Sequence, residues 1–203
     1  ISTYITEKGR EKSVELAKDR GVFPFWEGSK YEEQGIELRN GTITTIAPNG
    51  TTGMIADANG GIEPYFKVAL KKTCMDGKEL IYWANGLREE LQKNYESTSM
   101  SLEKLLEEVQ RAGTIQHIDG LPDNLKKRYL TSHDITPSEH IEMQSAFQIG
   151  SKNVGVDNAV SKTVNLPNEA TLEDVARIYL MSYKSGAIGT TVFRDGSKTG
   201  VYS

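Results

Sequence analysis

The spacing of hydrophobic and polar positions changes along the chain and predicts a mixture of helices and strands. Apolar residues recur at helical spacing in the segment 102–112, with charged neighbours on the opposite face. Ser101 before this segment and Gly113 after it are typical residues of helix ends. Thr171, followed three residues later by Asp174, indicates another helix start of the capping-box type. Helices are predicted, in chain order, over residues 5–20, 87–95, 102–112, 138–148 and 172–185, with a short one after Leu121.

Runs of β-branched residues predict the strands. The clearest runs are 41–47 and 159–166, a third covers 189–194, and 114–118 is a shorter candidate. Helices separate these runs, which is the pattern of parallel strands joined by crossover connections. Three or four strands are too few to close even an eight-stranded α/β barrel. We therefore predict an α/β fold, with parallel strands and crossover helices, for residues 1–203 as a single domain.

The composition is ordinary for a globular protein and narrows the possible functions. Of the 203 residues, 37% are hydrophobic and 26% are charged, and the net charge of −4 gives little support for nucleic-acid binding. No apolar run approaches the ~18 residues of a membrane-spanning helix. The one cysteine, Cys74, excludes an internal disulfide and fits a reducing cytoplasm. The chain begins at Ile1, without Met and without a signal-peptide pattern, so we expect an excised or processed piece of a protein, and on the cysteine usage we expect it in the cytoplasm.

A break in the pattern directly after the first predicted strand is the best candidate for a binding site. A strong turn signal is followed by two threonines, a glycine and a possible helix start at Met54. Unpaired amides of such a turn, with hydroxyls beside them, form a natural anion site. A tight structural turn is the alternative, because the loop lacks the lysine of a P-loop and the chain has no G-x-G-x-x-G motif. The candidate phosphate-binding residues are Pro48, Asn49, Gly50, Thr51, Thr52 and Gly53.

Three other residues with functional side chains each allow two interpretations. Lys162 lies inside the predicted strand 159–166 and points either outwards or at an anion. Glu63, which precedes Pro64, is either a positioned acid or a carboxylate at a helix start. Cys74 is either a redox thiol or a small half-buried residue in a turn. For each of them the structural interpretation is the one we favour.

The histidines do not predict a metal site. His133 and His140 are separated by Pro137, so they do not share one continuous helix face, and their spacing matches no standard pair of metal ligands. Ser132, His133 and Asp134 are adjacent in sequence, whereas the members of a catalytic triad come together from separate elements. We therefore predict neither a metal ligand nor a catalytic triad in this chain.

Four longer motifs occur in an order that resembles a known enzyme family. Residues 38–56 read LRNGTITTIAPNGTTGMIA and residues 60–66 read GGIEPYF. Further matches are HIEMQSAFQ at 140–148 with VDNAVSKTVNLP at 156–167, and GTTVFRDGS at 189–197. The fourth motif consists of RGVFP at 20–24 and WEGS at 26–29. Together these blocks resemble ribonucleotide reductases, specifically the adenosylcobalamin-dependent class II enzymes, and they cover nearly the whole chain.

The resemblance implies a fold, an activity and a cofactor. The fold would be the C-terminal portion of the reductase catalytic α/β barrel. The intact enzyme would reduce ribonucleotides to 2′-deoxyribonucleotides for DNA replication, through a cysteine radical generated with adenosylcobalamin. Residues 48–53 would hold the substrate phosphates, whether a di- or a triphosphate.

The family's radical cysteine lies in an Asn-Pro-Cys-Gly-Glu segment that does not occur in this sequence. No catalytic residue is therefore assigned to this chain. We expect it to act only with the missing N-terminal part of the reductase, present as a separate chain or removed from this one.

Departures from the family pattern keep a second hypothesis open. The family usually has Thr where Asn49 stands, and Ile-Ser where Thr52-Gly53 stands. Between the motifs at 140–148 and 156–167 the chain also has several extra residues, 149–155, which are rich in glycine and polar side chains. The chain could therefore be a non-catalytic nucleotide- or phosphate-binding module derived from the reductase scaffold.

Overall fold

The computed structural model of the chain describes residues 1–73 and 79–197, which form helices and two small sheets. The turn predicted at 74–77, and with it Cys74, lies outside the described residues. The helices are α1 (Ser2–Arg20), α2 (Lys30–Glu33), α3 (Gly50–Ile55), α4 (Leu87–Asn94), α5 (Leu102–Ala112), α6 (Asp123–Arg128), α7 (Pro137–Ile149) and α8 (Leu172–Lys184), with a 3₁₀ turn at Tyr95–Ser97. The strands are β1 (Ala69–Thr73), β2 (Glu79–Trp83), β3 (Thr163–Leu166) and β4 (Thr191–Arg194).

The chain divides into two compact units. Unit 1 combines residues 1–48 with 137–203, and unit 2 consists of residues 49–136. Within the parts of the chain that the structure describes, no helix is long and apolar enough to cross a bilayer. The description of residues 1–203 as one domain remains a prediction.

Unit 1 has the parallel α/β character that the sequence predicts. Strands β3 and β4 pair in parallel, with Thr163 opposite Thr191, and helices α7 and α8 pack beside them. A compact apolar core joins the strands to the helices, because alternate side chains of β3 point inwards. Its buried members are Ile141, Val164, Leu166 and Ile178.

Unit 2 contains an antiparallel hairpin that the sequence analysis did not predict. Strands β1 and β2 pair with Ala69 opposite Trp83. The strand expected at 114–118 does not form; instead Ile115 and Ile118 are buried in an irregular segment and contribute to the core. The buried core of this unit consists of Val68, Ala69, Ala84, Leu87, Leu91, Leu105, Val109, Ile115, Ile118, Leu121, Leu125 and Tyr129.

The predicted helix ends are confirmed where the signal is local. The Ser101 hydroxyl accepts a hydrogen bond from Lys104 N, and Gly113 ends α5 with a left-handed φ of 74°. At α8, Thr171 and Asp174 form the complete reciprocal capping box. These contacts need only residues three or four positions apart, which is why the sequence alone predicts them.

The predicted strand over residues 41–47 is wrong in extent. This segment is extended, but it pairs only through a single parallel bridge, between Ile46 and Val160. The amides of Ile43 and Thr44 donate instead to the side chain of Asp157. A side-chain acceptor therefore replaces the ladder of a neighbouring strand at this position.

The extra residues 149–155 form a compact turn. Gly150 follows α7 with a φ of 62°, and Ser151 and Val154 make an antiparallel bridge. Between them Lys152 and Asn153 both have positive φ, at 56° and 60°. Two consecutive left-handed residues closed by such a bridge are typical of the type I′ turn, whose twist suits two antiparallel strands.

The capping box at α8 predicts a dependence of stability on pH. The N–H and hydroxyl of Thr171 both donate to Asp174 Oδ2, at 2.9 and 2.8 Å, and hold the pKa of that carboxyl below its usual range. A lowered pKa stabilises the folded chain above the unfolded-state pKa, and the contribution disappears as pH falls through the folded value. An NMR titration of Asp174 should show a higher midpoint in T171A than in the wild type; equal midpoints would contradict the prediction.

Candidate phosphate-binding site

The six candidate residues lie at the start of helix α3. The helix begins at Gly50, four residues before the predicted start at Met54, so the expected turn is itself the first helical turn. Asn49 precedes it with a φ of 49°, and Gly53 N donates the first intrahelical bond to Asn49 O at 2.7 Å. The amides of residues 50–52 therefore have no acceptor within the helix. Residues 48–52 are exposed.

Gly53 closes this turn against the chain that follows. It is buried, and a Cβ placed there would lie 2.8 Å from Ala58 O and 3.1 Å from Gly60 N. Ala58 N donates back to Gly53 O at 2.9 Å. The serine that the related motif has at this position would not fit this backbone without movement of residues 58–60. Glycine at position 53 therefore allows residues 58–60 to pack more closely against this turn than a serine would.

The helix expected at Glu63 and Pro64 does not form. The chain is irregular there, and the next pairing is a parallel bridge between Tyr65 and Thr131. The interpretation of Glu63 as a carboxylate at a helix start is therefore wrong. Asn59 Nδ2 donates to Glu63 O at 3.1 Å and Glu63 N to Gly60 O at 3.2 Å, so the backbone of this second turn is closed on itself.

The segment before the phosphate-loop candidate is held by one carboxylate. Asp157 Oδ1 accepts from Ile43 N at 3.0 Å, from Thr44 N at 2.8 Å and from Thr44 Oγ1 at 3.0 Å. The Thr44 hydroxyl also lies 2.9 Å from that of Thr6 on α1. Beyond these contacts, Ile46 N donates to Ala159 O at 3.2 Å.

Helix α7 supports the other side of this arrangement. Gln148 Nε2 donates to the carbonyls of Val156 and Asn158, both at 2.9 Å, and thereby fixes the backbone on each side of Asp157. One turn earlier, Gln144 Nε2 donates to Val160 O at 3.2 Å and to Gly189 O at 2.6 Å. A hydrogen bond to a backbone carbonyl fixes the backbone that carries it. The two glutamines therefore position residues 156–160.

The sequence analysis gave Asp157 and the two glutamines no role. Their only signal was membership of the motifs at 140–148 and 156–167, because hydrogen bonds between different elements, which span 8 to 114 residues here, leave no local pattern.

Lys162 does not lie on an outward face. Its side chain is 2% exposed, and Nζ lies 2.7 Å from His140 Nδ1 and 2.6 Å from Thr163 O. The favoured interpretation of an exposed strand residue is therefore wrong. The burial continues the alternation of β3, because Lys162 shares its face with the buried Val164 and Leu166. The sequence does not identify the partner, since His140 comes from helix α7.

The three histidines contact different groups. His117 Nε2 lies 2.8 Å from Glu108 Oε1 on α5, and the ring of His133 packs edge-on against Phe66 with centroids 5.3 Å apart. His140 contacts Lys162. Over residues 1–73 and 79–197, no three side chains of the metal-binding types are close enough to hold an ion.

A separate cleft lies within unit 1, between α7, the end of β3 and α8. Its volume is about 400 Å³. Its lining is mainly apolar, with charged residues from α8 and from the turn before it: Pro137, Ser138, Leu166, Pro167, Glu169, Ala170, Asp174, Arg177, Ile178 and Met181. Arg177 pairs with Asp174 at 3.4 Å.

Comparison with known proteins identifies a family that contains these motifs. The family described as "Ribonucleotide reductase, barrel domain" matches residues 33–193. The chain is 39% identical to a vitamin B12-dependent ribonucleoside-diphosphate reductase of Thermoplasma acidophilum over 98% of its own length and 25% of that protein. It is 34% identical to a protein of the same name from Mycobacterium tuberculosis, over 97% of its own length and 27% of the relative.

A solved structure has the same fold. The alpha subunit of a class Id ribonucleotide reductase from Actinobacillus ureae matches with a TM-score of 0.69 at 19% identity, over 96% of this chain and 34% of that one. The chain thus spans about a quarter of the length of the two curated relatives. On the match to residues 33–193 and the identity to both relatives, the chain belongs to the ribonucleotide reductase barrel-domain family.

Proposed function

We propose that this chain is the part of a ribonucleotide reductase that holds the phosphates of the substrate. The observation that carries the proposal is the exposed first turn of α3, where three amides without an intrahelical acceptor stand beside the hydroxyl-bearing residues Thr51 and Thr52. Amides and hydroxyls donate hydrogen bonds, and the positive end of the peptide dipoles favours an anion. The phosphate-binding residues would be Pro48, Asn49, Gly50, Thr51, Thr52 and Gly53.

The substrate we propose is a ribonucleoside diphosphate, which the whole enzyme reduces to the 2′-deoxyribonucleotide. Two relatives are named as ribonucleoside-diphosphate reductases. The contribution of this chain is to bind and orient the phosphate end, which positions the ribose for chemistry performed elsewhere in the enzyme. The radical cysteine would lie in the remaining part of the reductase, since the motif that carries it does not occur in this sequence.

Adenosylcobalamin is the cofactor we propose for the whole enzyme, because the relatives are named vitamin B12-dependent. The cleft of about 400 Å³ lies near the lower limit for drug-sized ligands, ~300–1,000 Å³, and is too small to enclose a corrinoid by itself. We therefore propose that the rest of the enzyme supplies cofactor contacts.

The architecture we propose is a portion of the reductase barrel. The parallel pair β3–β4 with helices α7 and α8 would supply two barrel strands and their covering layer. The rest of the enzyme, on the same or another chain, would supply the remaining strands. The cytoplasm remains the predicted location.

A non-catalytic nucleotide-binding module is the second candidate, and one observation favours it. Gly53 has no room for the serine of the related motif, so one hydroxyl of that phosphate site is replaced by backbone packing. A module of this kind would bind nucleotides without supporting turnover. Assembly with the remaining part of a vitamin B12-dependent reductase distinguishes the two, because only the first candidate restores ribonucleotide reduction.

The direct test removes the two hydroxyls of the loop. In calorimetric titrations with ADP and ATP, we expect T51A/T52A to bind at least about tenfold more weakly than the wild type, since bonds to a charged ligand contribute ~1.5–3 kcal/mol each. The matched control is T190A/T191A, which alters the same Gly-Thr-Thr sequence at the start of β4. Equal affinities in both variants would contradict the proposed site.

A folded wild-type chain that binds neither nucleotide would contradict the proposal for the isolated chain. The titration would then be repeated with the remaining part of a reductase added. Binding that appears only in that mixture would indicate a site completed by the rest of the barrel.

A further inference from the structure

We propose that the outward face of helix α8 is an interface with a second copy of this chain, in which the two α8 helices pair antiparallel. This face, which we call the α8 stripe, consists of Leu172, Ala176, Tyr179, Leu180 and Tyr183, all of them exposed. The exposed fraction is 81% for Leu172, 52% for Tyr179, 60% for Leu180 and 82% for Tyr183. The inference does not rest on the proposed function, because the stripe lies within unit 1 and contains no residue of the phosphate loop.

Helix α8 is apolar on two opposite faces. Its inner face carries the buried Ile178, which belongs to the core of unit 1. On a helical wheel the α8 stripe is centred about 140° away from Ile178. A surface helix has polar residues on that side, as α5 has, whereas a helix that is apolar all round is normally covered. Contiguous exposed apolar patches mark interaction sites in soluble proteins, so the stripe indicates a partner.

Further strands of the proposed barrel would not cover the α8 stripe. New strands join a sheet at its edges, beside β3 or β4, where backbone groups are free to pair. The core that contains Ile178 also contains Val164 and Leu166 of β3, so the inner face of α8 is the one turned towards the sheet. The stripe is turned away from it. A partner on the outer side of the helix is therefore needed.

The spacing within the stripe suits a pair of antiparallel helices. Leu172, Ala176, Tyr179 and Tyr183 follow one another at intervals of four, three and four residues, which is the spacing of a helix–helix seam. In an antiparallel pair centred between residues 177 and 178, Leu172 lies opposite the partner's Tyr183. Ala176 lies opposite the partner's Tyr179 and leaves space for its ring. The stripe is therefore complementary to itself.

The charges beside the stripe select the second copy and the antiparallel direction. Glu173 lies in the first turn of α8 and Lys184 in the last, about 20° apart on the wheel and on the same flank of the stripe. The antiparallel pair brings Glu173 beside the partner's Lys184, and two-fold symmetry forms this ion pair twice. A parallel pair would instead bring Glu173 beside the partner's Glu173, which is unfavourable.

The test measures association of the full chain by sedimentation equilibrium over a range of concentrations. We expect the wild type to dimerise reversibly. We expect E173K and K184E each to weaken association about tenfold, because two attractive contacts become repulsive, and the double variant E173K/K184E to restore it. Y183E, which places a charge inside the stripe, should weaken it further. The control K12E makes the same change of charge on an exposed part of α1 and should leave association unchanged.

Three results would overturn the proposal. One is a folded wild-type chain that stays monomeric up to about 1 mM. Another is a dimer that both single charge reversals leave intact, since the copies would then associate through a different surface. The third is a monomeric chain whose α8 amides become protected from hydrogen exchange only when the remaining part of a reductase is added. The stripe would then be a contact within the enzyme. Weakening by each single reversal with recovery in the double variant supports the interface, because a general loss of helix stability would not be reversed by a second substitution.

Discussion

Replacing Gly155 with alanine is expected to lower the free energy of unfolding by about 3 kcal/mol. A Cβ at this position would overlap the carbonyl group of Gln148 and would lie 2.6 Å from Phe147 O. These are backbone atoms at the end of α7, and they cannot withdraw easily. Phe147 O accepts from Val156 N at 3.0 Å, and Gly150 N donates to Ala146 O at 3.1 Å. Relief of the overlap would therefore break the last turn of the helix.

Urea denaturation of G155A and of a control glycine variant measures this effect. A Cβ added at Gly189 would meet no atom within 4 Å, and this residue has no positive φ, so G189A should leave stability unchanged or raise it by up to ~1 kcal/mol. A loss below ~1 kcal/mol in G155A would mean that residues 149–155 yield readily, as a loosely attached insertion does.

The substitution Q144M is expected to destabilise the chain by about 2 kcal/mol. Gln144 is fully buried and donates from Nε2 to two carbonyls that belong to the approaches to β3 and β4. Methionine fills a similar volume, but it removes the donor from both acceptors, and for the buried carbonyl of Val160 an unsatisfied group costs ~1–3 kcal/mol. Part of this loss is offset, because Gln144 Oε1 is buried with no donor among the described residues and disappears in the variant.

The control for Q144M is the same chemical change on an exposed helix surface. Gln110 lies on α5 and is exposed, so Q110M should alter stability by less than ~0.5 kcal/mol. Thermal unfolding of both variants and the wild type provides the comparison. A value for Q144M close to that of Q110M would mean that other donors or water satisfy the two carbonyls.

Helix ends and turns could be predicted from the sequence because their hydrogen bonds are local. The capping box at Thr171 and the start of α5 at Ser101 both form as expected. The parallel pairing of β3 and β4 also follows from the order of strands and helices. The candidate phosphate-binding residues 48–53 were also identified from a local signal, because the turn residues Pro48, Asn49 and Gly50 lie at the start of α3.

The parts that the sequence could not predict depend on partners far along the chain. The run 41–47 has the pattern of a strand, yet Asp157 takes the place of its neighbour. Strand alternation places Lys162 on the buried face, but its partner there, His140, comes from helix α7. Neither partner can be identified from spacing or composition, because each lies on a different element.

The division of unit 1 into residues 1–48 and 137–203 sets an order of events during synthesis. Residues 49–136 form a continuous unit, so they can fold while the rest of the chain is still being translated. The segment 43–46, which precedes the phosphate loop, cannot form its hydrogen bonds to Asp157 until that residue is synthesised, 113 residues after Thr44. At a translation rate of roughly 5–20 residues per second, that delay is on the order of ten seconds. During this interval the amides of Ile43 and Thr44 lack the carboxylate acceptor that they have in the folded unit.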